Sequence, residues 1–177
     1  YNKNQGPFVE GTSITLLAPT VDKANTYEWD MCYDTKKFKV TTTSDNPKVS
    51  YTFTDDGPQV VGVRAKDDSG SVSPVYVITA KVSNAPPVAS ISRKPSRRNS
   101  AEGGIVLIGG CTDPGTIASY QWDIAYNGKK FNPTIQGKDK AIITIEAKTK
   151  ESTVALRCVD DDKAESNIAT FQIPAAN

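Results

Sequence analysis

The chain has 177 residues, and its 21 Lys and Arg against 20 Asp and Glu leave a formal net charge of +1. That balance produces no long-range polyelectrolyte field, which argues against a dedicated nucleic-acid binder, since those carry a strongly basic face. Histidine is absent, and with it go Ser–His, Cys–His and His–metal sites.

An apolar share of 37% is low for one large core but suits small sandwiches, in which alternate strand residues face water. No apolar run reaches the roughly 18–20 residues that span a bilayer, so membrane insertion is not expected. The opening Tyr1-Asn-Lys-Asn-Gln5 lacks the apolar region and cleavage site of a signal peptide.

In chain order, Ile14-Thr-Leu16 begins an apolar strand, and the turn cluster Ala18-Pro-Thr20 follows it. Tyr27, Trp29 and Met31 then alternate with Glu28, Asp30 and Cys32, placing three large apolar groups on one face of a strand. Val49-Ser-Tyr51-Thr-Phe53 alternates in the same way, as do Val61-Gly-Val63-Arg-Ala65 and a closing strand from Val75 to Val82. Asp45-Asn-Pro47, Asp55-Asp-Gly-Pro58 and Asp68-Ser-Gly70 mark the turns between them. The pattern then starts again. Tyr27-Glu-Trp-Asp30 with Lys36-Lys37-Phe38 returns as Tyr120-Gln-Trp-Asp123 with Lys129-Lys130-Phe131, displaced by 93 residues. Val63-Arg64-Ala65-Lys66-Asp67-Asp68 returns at the same displacement as Leu156-Arg157-Cys158-Val159-Asp160-Asp161. Glu10-Gly11 pairs with Glu102-Gly103 at 92, which one short loop indel explains. Ile105-Val-Leu107, Ile143-Thr-Ile145 and Val154-Ala-Leu156 supply the second set of strands.

Self-similarity at a fixed period means two copies of one domain. The boundary falls at Asn84-Ala-Pro-Pro-Val88, where paired prolines remove two backbone donors and stiffen the joint. Repeat 1 is therefore expected over 1–84 and repeat 2 over 85–177. They carry nine cationic against ten anionic side chains and twelve against ten, so neither stands apart electrostatically. No segment shows a helical stripe. Six or seven short strands per copy predict an all-β chain of two tandem two-sheet sandwiches.

The order Glu-Gly, apolar strand, Tyr-x-Trp-Asp, then Val-x-Val-x-Asp-Asp resembles the polycystic-kidney-disease (PKD) type repeat, an immunoglobulin-like sandwich. Tyr27, Trp29, Asp30, Asp67, Asp68 and Gly70 carry the likeness in the first copy, and Tyr120, Trp122, Asp123, Asp160 and Asp161 in the second. Both depart from the usual Trp-Asp-Phe-Gly-Asp-Gly, reading Trp-Asp-Met-Cys-Tyr-Asp and Trp-Asp-Ile-Ala-Tyr-Asn. The resemblance implies a secreted or cell-surface module, usually non-catalytic, that spaces neighbouring domains of a parent chain. The alternative it implies is an accessory that binds an extracellular protein or a polysaccharide.

The core anchors expected are Tyr27, Trp29, Tyr120 and Trp122. Trp29→Ala should cost roughly 3–5 kcal/mol, enough to threaten a domain of this size, and a preserved cooperative melt would contradict the assignment. An immunoglobulin-like arrangement brings the strands of Cys111 and Cys158 together on opposing sheets with Trp122 between them in sequence. These cysteines are then either bridged, at about 4 kcal/mol for the enclosed loop, or two separate thiols. Thr20 and Ala65 stand in their place in repeat 1. Cys32 is expected as a half-covered free thiol, with an intermolecular contact as the alternative.

Asp67, Asp68, Asp160, Asp161 and Asp162 suggest calcium by their carboxylates, but consecutive aspartates diverge on an extended chain. Capping of a strand-end turn is the expected role, and no cofactor is expected. Asp30 and Asp123 read as turn or sheet hydrogen-bonders. Asp68-Ser-Gly70 matches the tripeptide of aspartic proteases, yet the second copy offers only Asp161-Asp-Lys163, without the Ser-Gly turn, and no Gly-x-Ser-x-Gly elbow exists. Enzymatic activity is not expected. Arg93-Lys-Pro-Ser-Arg97-Arg98 reads as charge that blocks a strand edge, with anion binding or a kinase site at Ser100 as alternatives. A binding surface, if present, would use Tyr33, Lys36, Lys37, Phe38, Tyr126, Lys129, Lys130 and Phe131, with the aromatic rings exposed and co-planar.

Overall fold

The structure, a computed structural model, describes residues 2–95, 104–146 and 150–175. All of its regular elements are strands, and the chain separates into two compact units, Tyr1–Asn84 and Ala85–Asn177.

The first unit contains β1 (Asn2–Val9), β2 (Ser13–Leu17), β3 (Thr26–Asp30), β4 (Thr42–Ser44), β5 (Lys48–Thr52), β6 (Gly57–Lys66) and β7 (Tyr76–Ser83). One sheet runs β1-β7-β6-β3-β4 and the other is the antiparallel pair β2-β5. The second unit contains β8 (Val88–Arg93), β9 (Ile105–Thr112), β10 (Ile117–Asp123), β11 (Ile135–Gly137), β12 (Ile142–Ile145), β13 (Ser152–Asp160) and β14 (Ala169–Ile173). Its sheets run β11-β10-β13-β14 and β12-β9-β8. Each unit is an immunoglobulin-like sandwich whose core lies between its sheets.

Alternation on β3 places Tyr27 and Trp29, with Met31 just past its end, against Leu16, Val61, Val63 and Ile78, all buried. Trp29 is fully buried, and its indole N–H donates to Ser44 Oγ at 2.9 Å. In the second core Trp122 is likewise fully buried among Leu107, Val154, Leu156 and Ile173, and its N–H donates to the Lys140 carbonyl at 2.7 Å. A buried indole needs such a partner. Tyr120 departs from the anchor role, being only half-buried. The reason is local. In the first unit the connection over residues 18–25 closes on Tyr27, whose hydroxyl accepts the Val21 N–H. The corresponding connection, residues 113–116, is too short to do so.

The first strand of each unit escaped the periodicity reading. β1 holds Gly6 and Pro7 and has no alternation; it forms by pairing parallel with β7. β8 instead pairs antiparallel with β9 in the other sheet. Arg93 and Lys94 are exposed at this sheet edge, whereas Arg97, Arg98, Ser100, Glu102 and Gly103 lie outside the described residues. Cys111 and Cys158 form a disulfide that ties β9 to β13 across the core, with 6.0 Å between their Cα atoms. Cys32, expected half-covered, is exposed and free, because the chain leaves the sheet at Asp30 and the alternation ends there.

Candidate functional site: the paired aromatic loops

The feature that recurs with the most side-chain chemistry is the loop after the Trp-Asp strand, residues 31–41 after β3 and 124–134 after β10. Its base is clamped by a buried carboxylate. Asp30 Oδ1 accepts the Cys32 N–H at 3.2 Å and Oδ2 the Lys39 N–H at 2.7 Å. Asp123 does the same for Ala125 at 3.0 Å and Asn132 at 2.8 Å. Each carboxylate thus closes a loop of nine residues with hydrogen bonds to a charged acceptor, the stronger kind. Both aspartates are at most 4% exposed, and their occupied oxygens explain how such burial is tolerated.

The tip of each loop is a side-chain-capped turn. Asp34 Oδ1 accepts the N–H groups of Lys36 and Lys37 at 2.9 and 3.0 Å. Asn127 Oδ1 accepts those of Lys129 and Lys130 at 2.9 and 3.1 Å. The Lys37 and Lys36 N–H groups hold the Asp34 carboxyl below its ordinary value. The residue after the cap is in the left-handed region in both copies, Thr35 at φ 67° and Gly128 at φ 78°.

Between base and tip the loop folds back onto its sheet. The Tyr33 N–H donates to the Val60 carbonyl at 3.0 Å, and the Tyr126 N–H to the Thr153 carbonyl at 3.1 Å. The Tyr33 and Phe38 rings meet at 5.9 Å and 62°, and the Arg64 guanidinium lies 4.7 Å from the Phe38 centroid. Tyr126 and Phe131 meet at 6.3 Å and 59°, with Arg157 at 4.8 Å from Phe131. Arg64 is fixed in turn by Glu28 at 2.7 Å, and Arg157 by Gln121 at 2.8 Å and Glu165 at 2.5 Å. Gly62 lets the first stack settle closely, since a Cβ there would come within 2.9 Å of the Tyr33 ring.

The expected co-planar platform is therefore absent from these loops. Tyr33, Phe38, Tyr126 and Phe131 are half-buried and inclined to one another, because an arginine from the adjacent strand draws each phenylalanine onto the sheet. Lys36, Lys37, Lys129 and Lys130 are exposed. The sequence signal for the two arginines was their recurrence at the same displacement. What they contact is a long-range matter that no local pattern expresses.

In the acidic turns Asp67, Asp68 and Asp160 use their carboxylates internally. Asp67 Oδ1 accepts the Ser69 hydroxyl at 2.6 Å and the Ser71 N–H at 2.9 Å, and the Ser69 contact is the main cause of its lowered pKa. Asp68 accepts from the Asn25 carboxamide. Asp160 is buried and its Oδ1 accepts the Ala164 N–H at 2.7 Å, whereas Asp161 and Asp162 are exposed. The second copy, which lacks the Ser-Gly pair, keeps the strand-end turn with other residues. Lys163, at φ 72°, occupies the left-handed position that Gly70 takes at φ 85°. The Lys163 N–H reaches the Asp160 carbonyl at 3.3 Å, as the Gly70 N–H reaches Asp67 at 3.0 Å.

Two further features had no sequence signature. Asp113 Oδ1 accepts the Gly115 N–H at 2.8 Å, but its Oδ2 is buried with no hydrogen-bond partner among the described residues. Desolvation above all, with Asp160 and Asp161 nearby, raises its pKa. In the first unit an open concavity of about 210 Å³ is lined by Val21, Ala24, Ala65, Lys66 and Val72. Ala65 there stands where the second unit places Cys158.

No protein-family model matches the chain, and no curated protein matches it. Among solved structures it is similar to the fibronectin(III)-like modules of CbhA from Clostridium thermocellum, at 17% identity and a TM-score of 0.41, covering 98% of this chain and 89% of that one. It is also similar to the FN1–FN3 domains of chicken CNTN1, at 11% identity and a TM-score of 0.39, covering 99% and 63%. The D00–D0 domain of intimin is similar at 13% identity and a TM-score of 0.35, covering 92% and 93%. The strand order described above makes the chain all-β and immunoglobulin-like in both halves.

Proposed function

We propose that the chain is a pair of PKD-type repeats acting as a non-catalytic spacer in a larger secreted or cell-surface protein, with the neighbouring domains of that protein as its partners. One observation carries this reading. In both copies the loop best placed to present aromatic groups is sealed onto its own sheet by an aspartate clamp and an arginine–phenylalanine stack. The Cys111–Cys158 disulfide supports an oxidising, extracytoplasmic setting. The test is replacement of residues 1–177 in the parent protein by two unrelated immunoglobulin-like modules of equal length. A spacer predicts that the parent's activity survives the exchange; its loss would sink the reading.

A second reading is favoured by the exposed lysine pairs, which occupy the same point of both loops. An accessory binding module for polysaccharide, matrix protein or a partner surface would retain a ligand from a panel of these. It would lose that ligand when Lys36, Lys37, Lys129 and Lys130 are all changed to alanine.

A further inference from the structure

The capped turns of the two loops are the same structure made with different side chains, and the difference has a chemical consequence. In the second unit the cap is a carboxamide, Asn127, followed by Gly128, and both are exposed. Among the described residues no atom lies within 4 Å of where a Cβ on Gly128 would stand, so the space on that side of the residue is open. Asn127 Oδ1 accepts the Lys129 N–H at 2.9 Å and the Lys130 N–H at 3.1 Å. Paired N–H donors at roughly 2.7–3.1 Å from a carbonyl oxygen are the arrangement that stabilises negative charge developing on that oxygen. The two lysines that follow have exposed side chains, so the tip carries positive charge.

We propose that Asn127 is a self-deamidation site whose own turn promotes the reaction. The deprotonated Gly128 nitrogen attacks Asn127 Cγ, and charge passes to Oδ1, where the two N–H groups receive it. The bond from Cγ to the carboxamide nitrogen breaks, and that nitrogen leaves as ammonia after taking up a proton from solvent. The resulting cyclic imide is opened by a water molecule at one of its two carbonyls, giving aspartate or isoaspartate. The aspartate product is already represented in this chain. Asp34 caps the first loop with the same pair of N–H bonds. Conversion therefore adds one negative charge to the lysine-bearing tip and makes the second loop electrostatically like the first. Isoaspartate lengthens the main chain by one methylene and cannot keep both cap bonds, so it releases the tip.

The inference is independent of the spacer reading. Its test compares the full chain with a synthetic peptide of residues 121–133 at mildly alkaline pH. Peptide mapping by mass spectrometry follows the mass gain as hydroxyl replaces amine at Asn127, and chromatography separates isoaspartate from aspartate. Asn127 in the folded chain should convert about ten-fold or more faster than in the peptide, with both products present. Unfolding the chain in denaturant should bring it down to the peptide rate, and Gly128→Ala should slow the folded chain. A folded chain that converts no faster than the peptide overturns the proposal, as does a denatured chain that converts as fast as the folded one.

Discussion

The side-chain carboxamide of Gln5 binds both backbone groups of Leu17: its Nε2 donates to the Leu17 carbonyl at 2.7 Å and its Oε1 accepts the Leu17 N–H at 3.2 Å. It performs at the outer edge of β2 what a neighbouring strand performs elsewhere. In the second unit β9 has a real strand there, β8. There a second carboxamide, Asn167, binds the N–H and carbonyl of Ala89 on that strand, at 2.9 and 3.2 Å. Gln5→Glu removes the donor and sets a carboxylate against a carbonyl. It should cost about 0.5–1.5 kcal/mol and leave an unpaired edge that invites pairing between molecules. Denaturant titration of the first unit and light scattering with rising concentration check both effects; an unchanged midpoint and a monomer at all concentrations would refute them.

Each copy holds a strained residue where the other has glycine. Thr35 corresponds to Gly128, and Lys163 to Gly70. The left-handed region costs a side-chain-bearing residue about 1–2 kcal/mol, of which glycine's extra chain entropy returns about 0.5–1. Thr35→Gly and Lys163→Gly should each stabilise their own unit by about 0.5–1 kcal/mol, read as a higher calorimetric midpoint. The β-branched Thr35 should gain more.

Asp113 sets a pH dependence. Its folded pKa is raised above the ordinary carboxylate value by desolvation, with Asp160 and Asp161 adding to the effect. The folded state therefore binds this proton more tightly than the unfolded state. The group's contribution is fully present below the unfolded pKa and is lost as pH rises through the folded one. Asp113→Asn should raise the melting temperature of the second unit near neutral pH, and the gain should disappear in acid. A gain of equal size at both ends would point to packing instead.

The disulfide should divide the chain's response to reductant. Closing the loop between Cys111 and Cys158 is worth about 4 kcal/mol in the chain-entropy account. Reduction, or Cys111→Ser with Cys158→Ser, should lower the midpoint of the second unit by that order and leave the first unchanged. Tryptophan fluorescence in Trp29→Phe and Trp122→Phe backgrounds separates the two transitions.

The repeat, the strand periods, the two buried indoles and the hydrogen-bonding aspartates were legible in the sequence because each depends on spacing along the chain. Alternation of period two sets the buried face of a strand whatever packs against it, and duplication shows the same choice made twice. What only tertiary structure decided is whatever depends on residues far apart in sequence. Arg64 draws Phe38 onto the sheet, β1 forms without alternation because β7 offers it an edge, and Asp113 is desolvated beside Asp160. These outcomes follow from which surfaces meet, and contact between distant segments leaves no periodic trace in either one.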